Sequence, residues 1–393
     1  MGAISTDTII VGAGPSGLAI AACLMRANVP HIVVERSQHV GNAWRNHYDR
    51  LHLHTVKRFS NLPHYAFPGE VEKYPSRQAV VDYFNAYAKH FNIQPHLGED
   101  VTAIKKMNGA WETRTSQNEY HSERVVVASG YNRRPLIPKW PDREAFQGAV
   151  YHSAEYRDGD AYRGKRVLVV GIGNTGGEIA IDLHEHGAAA VHICVRSPIN
   201  VILRDYLGTP AQVTGITLSK LPKKLRYFVS KHLAHLSIGD LSRYGLQWPE
   251  FGPVESVERF GRVALIDVGT LDLIKNGAIT VKPGISRFTK EGVAFTDGQE
   301  HSYDAVILAT GYKPRLDEFL EDAHELTDEA GYPIPPAGES ARTGLYFLGF
   351  DNPPTGLLRQ IAIDAQRIAK KIARDYTTTG GRAYPRAEYA NRE

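Results

Sequence analysis

Two glycine-rich stretches carry the residue types and spacing in this chain that could do chemistry. Gly12-Ala13-Gly14-Pro15-Ser16-Gly17 follows the apolar run at residues 7–11, and Gly171-Ile172-Gly173-Asn174-Thr175-Gly176 follows a similar run at 166–170. Each leads into an apolar helical stretch, from about Leu18 to Arg26 and from Gly177 to Glu185, and then into a second strand. In this context each glycine has a role. Gly12 and Gly171 permit a tight turn, Gly14 and Gly173 let backbone approach a pyrophosphate, and Gly17 and Gly176 let the helix pack close on the strand. The helix start offers free N–H groups and the positive end of its dipole to the phosphates. Pro15, Ser16, Asn174 and Thr175 fill the same turns and are assigned to the same contacts. One such motif is weak evidence, but two in full strand–turn–helix–strand context form a specific pattern.

The ends of the two units differ. The strand at residues 31–34 ends at Glu35, 23 positions after Gly12, where an acid can bond ribose hydroxyls; Arg36 is next to it. The strand at 191–195 ends at Arg196, 25 positions after Gly171. An acid there would repel a 2′-phosphate, whereas an arginine can pair with one. The first cradle is therefore assigned to FAD and the second to NADPH.

These cradles need elements to hold them. Residues 125–131 and 306–312 are matching short strands that end in small residues, and Pro-bearing linkers follow both. They mark an α/β chain with two Rossmann-like dinucleotide-binding domains. The NADPH domain, 151–304, is inserted into an FAD domain made of 1–150 and 305–393. Thr310 and Gly311 pass close to the second cradle. Residues 101–123 form a β meander with a turn at Asn108-Gly109. Within the less regular stretch 197–262, the stripe Leu221, Leu225, Val229, Leu233 and Leu236 predicts an amphipathic helix packed on its own protein. Near the C-terminus a strand at 344–350 precedes a turn, and Thr355 can cap a helix from about Gly356 to Arg374 that begins with Leu357. That helix start faces the flavin's pyrimidine edge in such a layout.

Composition excludes several classes. With 46 Lys and Arg against 43 Asp and Glu, interspersed, the net charge is +3, so nucleic acid is not an expected partner. No apolar run reaches the roughly 18 residues of a membrane span. Cys23 and Cys194 stand alone in apolar stretches, which predicts no metal site and no disulfide framework, and a reducing, cytoplasmic setting. The start Met1-Gly2-Ala3-Ile4-Ser5-Thr6 matches a myristoylation pattern but reads as a lead-in to the first strand, and the tail after Tyr376 reads as frayed and solvated.

Further motifs lie between and beyond the cradles. Residues 146–156, from Phe146 through Gly148 and His152 to Tyr156, match an FxGxxxHxxxY pattern, and Ala309-Thr310-Gly311-Tyr312 an ATGY element. In this order they resemble the flavin-containing monooxygenases. Within that family the chain is most similar to the YUCCA-type indole-3-pyruvate monooxygenases and their bacterial relatives, through Asp49-Arg50-Leu51-His52-Leu53-His54, residues 239–253 and 267–271, and the 344–350 strand. The loop Asp351-Asn352-Pro353-Pro354-Thr355 departs from the usual YUCCA sequence.

The resemblance implies hydride transfer from NADPH to FAD, then a C4a-(hydro)peroxyflavin that delivers one atom of O₂ to a small organic substrate. An aryl 2-oxo acid such as indole-3-pyruvate, decarboxylated to indole-3-acetate, is the reading that follows. It places Trp44 beside the FAD, adds His52 to the FAD contacts, and makes His54 and Tyr156 the candidates for a part in catalysis, with a structural histidine as the alternative at position 54. His152 is assigned a structural hydrogen-bonding role at the domain junction. Tyr74-Pro75-Ser76-Arg77 is either a cofactor-facing loop or a helix-starting turn capped by Ser76.

The flavin carries the hard chemistry, so no protein nucleophile is required. A flavin disulfide reductase would need a redox cysteine pair, which this chain lacks. Baeyer–Villiger or N/S-oxygenation, a plain NADPH oxidase or reductase, and a nucleotide-binding protein without turnover stay open, and a homodimer is compatible.

Coenzyme choice gives a direct test. A charge-assisted pair between Arg196 and the 2′-phosphate contributes about 1.5–3 kcal/mol. That is roughly ten- to a hundredfold in affinity, and the lower end applies if the pair is exposed. Arg196→Ala should raise the KM for NADPH strongly and that for NADH little, with flavin content unchanged. An unaltered NADPH-to-NADH efficiency ratio would move the phosphate to another cation, such as Arg204.

Overall fold

The computed structural model describes residues 3–378 and 380. Met1, Gly2 and the polar tail from 381 onward lie outside the described residues. The chain opens with β1 (Ile4–Val11), α1 (Pro15–Arg26) and β2 (His31–Glu35), followed by α2 (Arg77–His90). The meander follows as β3 (Val101–Met107), β4 (Ala110–Thr115) and β5 (Glu119–Val127). A second unit contains β6 (Ala149–His152), β7 (Arg166–Val170), α3 (Asn174–Glu185) and β8 (Ala190–Cys194). Three helices follow, α4 (Ala211–Leu218), α5 (Lys223–Ile238) and α6 (Pro253–Phe260). Then come β9 (Ile279–Lys282), β10 (Ala305–Leu308), β11 (Leu345–Phe347) and the long α7 (Leu357–Thr378).

Each cradle strand sits inside a parallel sheet. β1 lies between β2 and β5, with Ile10 opposite both Val33 and Val126. β7 lies between β8 and β10, with Val169 opposite Ile193 and Ile307. Strands buried on both faces read as largely apolar runs, and Ile9, Ile10, Val167, Leu168 and Val169 are fully buried. One face of the first sheet packs on α1, α2 and α7 through Ile20, Leu24, Phe84 and Ile361. The meander joins the sheet through β5, which also pairs β11, and its turn is at Asn108-Gly109 as expected, both residues having positive φ (52° and 86°). Among the described residues no helix is long and apolar enough to cross a membrane.

Three expectations need correction. The second sheet runs β9-β8-β7-β10-β6, so β10 at 305–308 and β6 from 149 belong to it and not to the first unit. Pairing moves the boundaries outward by a few residues because β10 fills the central slot beside β7, as the crossover rules of a doubly wound sheet require. Both cradle helices begin earlier than expected, at Pro15 and Asn174, since the extended Gly14 and Gly173 serve as N-caps. On α5 the buried residues are Tyr227, Ser230, Ala234 and Ile238, whereas Leu225 and Leu236 of the expected stripe are 47% and 80% exposed. The face that packs is set by α6, where Arg226 and Tyr227 both reach Glu258.

Tyr156 is also placed differently from expectation. It is 1% exposed in the core of the second unit, where its hydroxyl donates to Asp182 Oδ2 at 2.6 Å. Burial raises the Asp182 carboxyl above its ordinary range, and the phenol is the donor that offsets this. This is a structural position. Tyr156→Phe should lower stability by about 1–3 kcal/mol, the cost of taking a donor from a buried acceptor, with flavin content and turnover retained. Thermal unfolding alongside steady-state rates checks it, and lost turnover at unchanged stability would restore a catalytic role.

Candidate active site

The first cradle has the backbone geometry that its glycines predict. Gly12 adopts φ +104°, and a Cβ there would lie 2.8 Å from Ala128 O. A Cβ at Gly17 would lie 1.8 Å from Gly12 O, so helix and turn are in backbone contact. A Cβ at Gly14 meets nothing within 4 Å, which leaves the start of α1 open where a phosphate would sit. Glu35 ends β2 with its carboxylate accepting from Ala13 N–H (2.8 Å) and Ser37 N–H (2.9 Å). The acid thereby fixes the turn and keeps lone pairs for a ribose. Arg36 is exposed beside it.

The second cradle repeats this. Gly171 has φ +106° and lies against Ala309 O, Gly176 against Gly171 O, and the Cβ position of Gly173 is open. Asn174 Oδ1 accepts from Ile266 N–H at 2.7 Å, which fixes the first residue of α3. Thr310 Oγ1 donates to Leu136 O at 2.5 Å. His152 accepts from Ala154 N–H on Nδ1, so its Nε2–H donates to Gly311 O at 3.1 Å, in the structural role expected of it. Burial lowers the His152 pKa and favours this neutral form. Arg196 is exposed and packs along Gly284, while Arg204 lies 4.3 Å over the Tyr74 ring.

Both cradle helices begin at one cavity of about 300 Å³, lined by Pro15 of α1 and Asn174 of α3. Trp44, Leu53, His54, Tyr131, Asn352 and Leu357 also line it, and Leu203, Leu233, Val254 and Val257 form an apolar wall. His54 Nε2 lies 2.7 Å from Glu178 Oε1 on α3, and Tyr48 bonds both Thr175 and Glu178. His54 Nδ1 is buried with no partner among the described residues. Open glycine positions and free helix-start N–H groups fit two bound dinucleotides meeting at the cavity.

Other assigned residues lie outside it. His52 is 41% exposed, with Nδ1 on Arg50 O and Nε2 3.6 Å from Glu72. Ser76 caps α2 by accepting from Ala79 N–H, and Tyr74 donates to Asp205, so the 74–77 segment takes the structural of its two readings. Thr355 gives its carbonyl to Gln212.

Gln212 escaped the sequence reading. It is 3% exposed on α4; its Oε1 accepts from Val56 N–H (2.9 Å) and its Nε2 donates to Thr355 O (2.8 Å). One amide thus ties the inserted segment to both parts of the first unit. The available signal was a single amide in the apolar stretch 211–218. The cysteines are also accounted for. Cys23 on α1 and Cys194 on β8 are buried in separate units, and burial pushes their thiols up to about 12 and about 11, leaving them unreactive.

The chain matches the Flavin-binding monooxygenase-like family over residues 6–330. It is 40% identical to the probable indole-3-pyruvate monooxygenase YUCCA1 of Arabidopsis thaliana, with 93% of this chain and 89% of that protein covered. Indole-3-pyruvate monooxygenase YUCCA1 of Oryza sativa subsp. japonica is 41% identical, with 93% and 90% covered. The flavin-containing monooxygenase from Stenotrophomonas maltophilia shares the fold, with a TM-score of 0.72 at 20% identity over 96% of this chain and all of that one (100%). With its two cradles opening on one cavity, the chain belongs to the flavin-binding monooxygenases.

Proposed function

We propose that this enzyme uses FAD in the first cradle and NADPH in the second to oxidise an aryl 2-oxo acid of the indole-3-pyruvate type, in the cytoplasm. The domain reading that follows assigns NADPH to the unit of 149–308 and FAD to the rest. The observation that carries the proposal is the single cavity at the starts of both cradle helices, where a hydride donor, a flavin and a substrate can meet. The near full-length similarity to indole-3-pyruvate monooxygenases supports the substrate class.

The flavin, when bound, supplies hydride acceptance and oxygen activation. The protein's task is placement and dryness. Glu35 and the open turn at Gly14 would hold one dinucleotide, and Arg196 with the turn at Gly173 the other. Leu233, Val254 and Val257 would take the aryl group and keep water out. Gln212 holds α4 in place over the first unit. Over the reaction the keto carbon gains one oxygen atom, the bond to the carboxylate breaks and carbon dioxide leaves. The second oxygen atom becomes water at the expense of NADPH and a proton.

Two measurements test this reading. Because a Cβ at Gly14 meets no protein atom within 4 Å, Gly14→Val should fold with a near-native melting temperature yet purify without yellow colour. A yellow, active variant would remove the flavin from this cradle. Indole-3-pyruvate should raise NADPH consumption with stoichiometric indole-3-acetate and little hydrogen peroxide. Stimulation by a thioether or amine, and none by the oxo acid, would replace the substrate class.

A further inference from the structure

The cavity is lined without any Asp, Glu, Lys or Arg among the described residues, and His54 is the one lining side chain able to carry a positive charge. On the oxo-acid reading above, the substrate brings a full negative charge into this apolar space. Such a charge must be met by a hydrogen-bonded partner or its transfer from water is strongly unfavourable.

His54 is built to meet it. Its Nε2 lies 2.7 Å from Glu178 Oε1, and the two side chains are only 15% and 5% exposed. Glu178 is fixed in turn by Tyr48, which also bonds Thr175 in the second cradle. The other ring nitrogen, Nδ1, is buried and has no hydrogen-bond partner among the described residues. Buried ring nitrogens are rarely left so, and a bound group is the remaining partner. An imidazole that donates one N–H to a carboxylate can hold a second proton on its other nitrogen and give it to an anion.

We propose that His54, held by Glu178, selects the substrate by its charge: it receives the carboxylate of the 2-oxo acid on Nδ1 while the apolar wall takes the aryl group. The inference rests on the oxo-acid reading, and it assigns specificity to a residue pair that joins the two units.

The test compares two ligands of nearly equal shape, indole-3-acetate and the neutral indole-3-acetamide, binding to oxidised, flavin-loaded enzyme followed by its flavin absorbance. Wild type should bind the anion roughly ten- to a hundredfold more tightly, as a charge-assisted hydrogen bond provides. His54→Gln and Glu178→Gln should bring that ratio near one. If His54→Gln loses its flavin, Glu178→Gln carries the comparison, since Glu178 does not line the cavity. A wild type without preference for the anion, or a preference kept in the variants, overturns the proposal. Turnover separates it from the broader reading. An enzyme that prefers the anion but does not decarboxylate indole-3-pyruvate refutes the oxo-acid function while leaving the charge selectivity measured. One that decarboxylates with the ratio unmoved by either variant refutes the role of His54 alone.

Discussion

In both cradles the first turn of a helix rests on the carbonyl of the first glycine so closely that a Cβ would fall 1.8 Å away at Gly17 and 1.9 Å away at Gly176. No side chain fits at that distance. The contact swings the helix axis so that its unpaired N–H groups face outward beyond the strand end, toward a phosphate. The strand must then be central and buried, because a helix packed this tightly covers one of its faces. Flanking strands, the positive φ at Gly12 and Gly171 and the apolar C-terminal halves of β1 and β7 follow from that one approach.

A second level of organisation brings the two cradles to one place. The segment between β8 and β9 stays anchored in the core of the second unit through Val201, Ile238 and Leu265, and its helix α4 reaches across to the first. Asp205 bonds Lys73 and Tyr74, Gln212 bonds Val56 and Thr355, and Gly215 lets α4 approach Pro354 O. These contacts roof the cavity with apolar side chains. They are mostly hydrogen bonds that end on backbone or on partly buried groups, so they specify orientation more than they add stability.

The electrostatics follow the same division. Charged groups pair outside the cavity, as in Arg50 with Glu185, and His54 lines it while its partner Glu178 stands behind, on the other unit. A neutral, dry space suits chemistry that a bound cofactor performs and water would spoil. The buried, unreactive thiols of Cys23 and Cys194 add no competing redox group to it.

What could be read from the residues alone was whatever depends on local backbone freedom and strand burial. Glycine spacing, apolar runs and the acid or cation at each strand end located both cradles and the meander turn at Asn108-Gly109. Side-chain roles at long range were not legible. Tyr156 occupies a signature position yet packs in a core against Asp182, and His52 and His54, two residues apart, lie outside and inside the cavity. Neither the buried face of α5 nor the bridge made by Gln212 has a sequence period that reveals it. Each depends on partners more than 20 positions away, such as Glu258 for Tyr227 and Thr355 for Gln212. Glycine turns and buried strands are short-range necessities that leave a mark on every sequence adopting them, whereas the cavity exists only where distant segments meet, and there packing alone decides which side chains face the substrate.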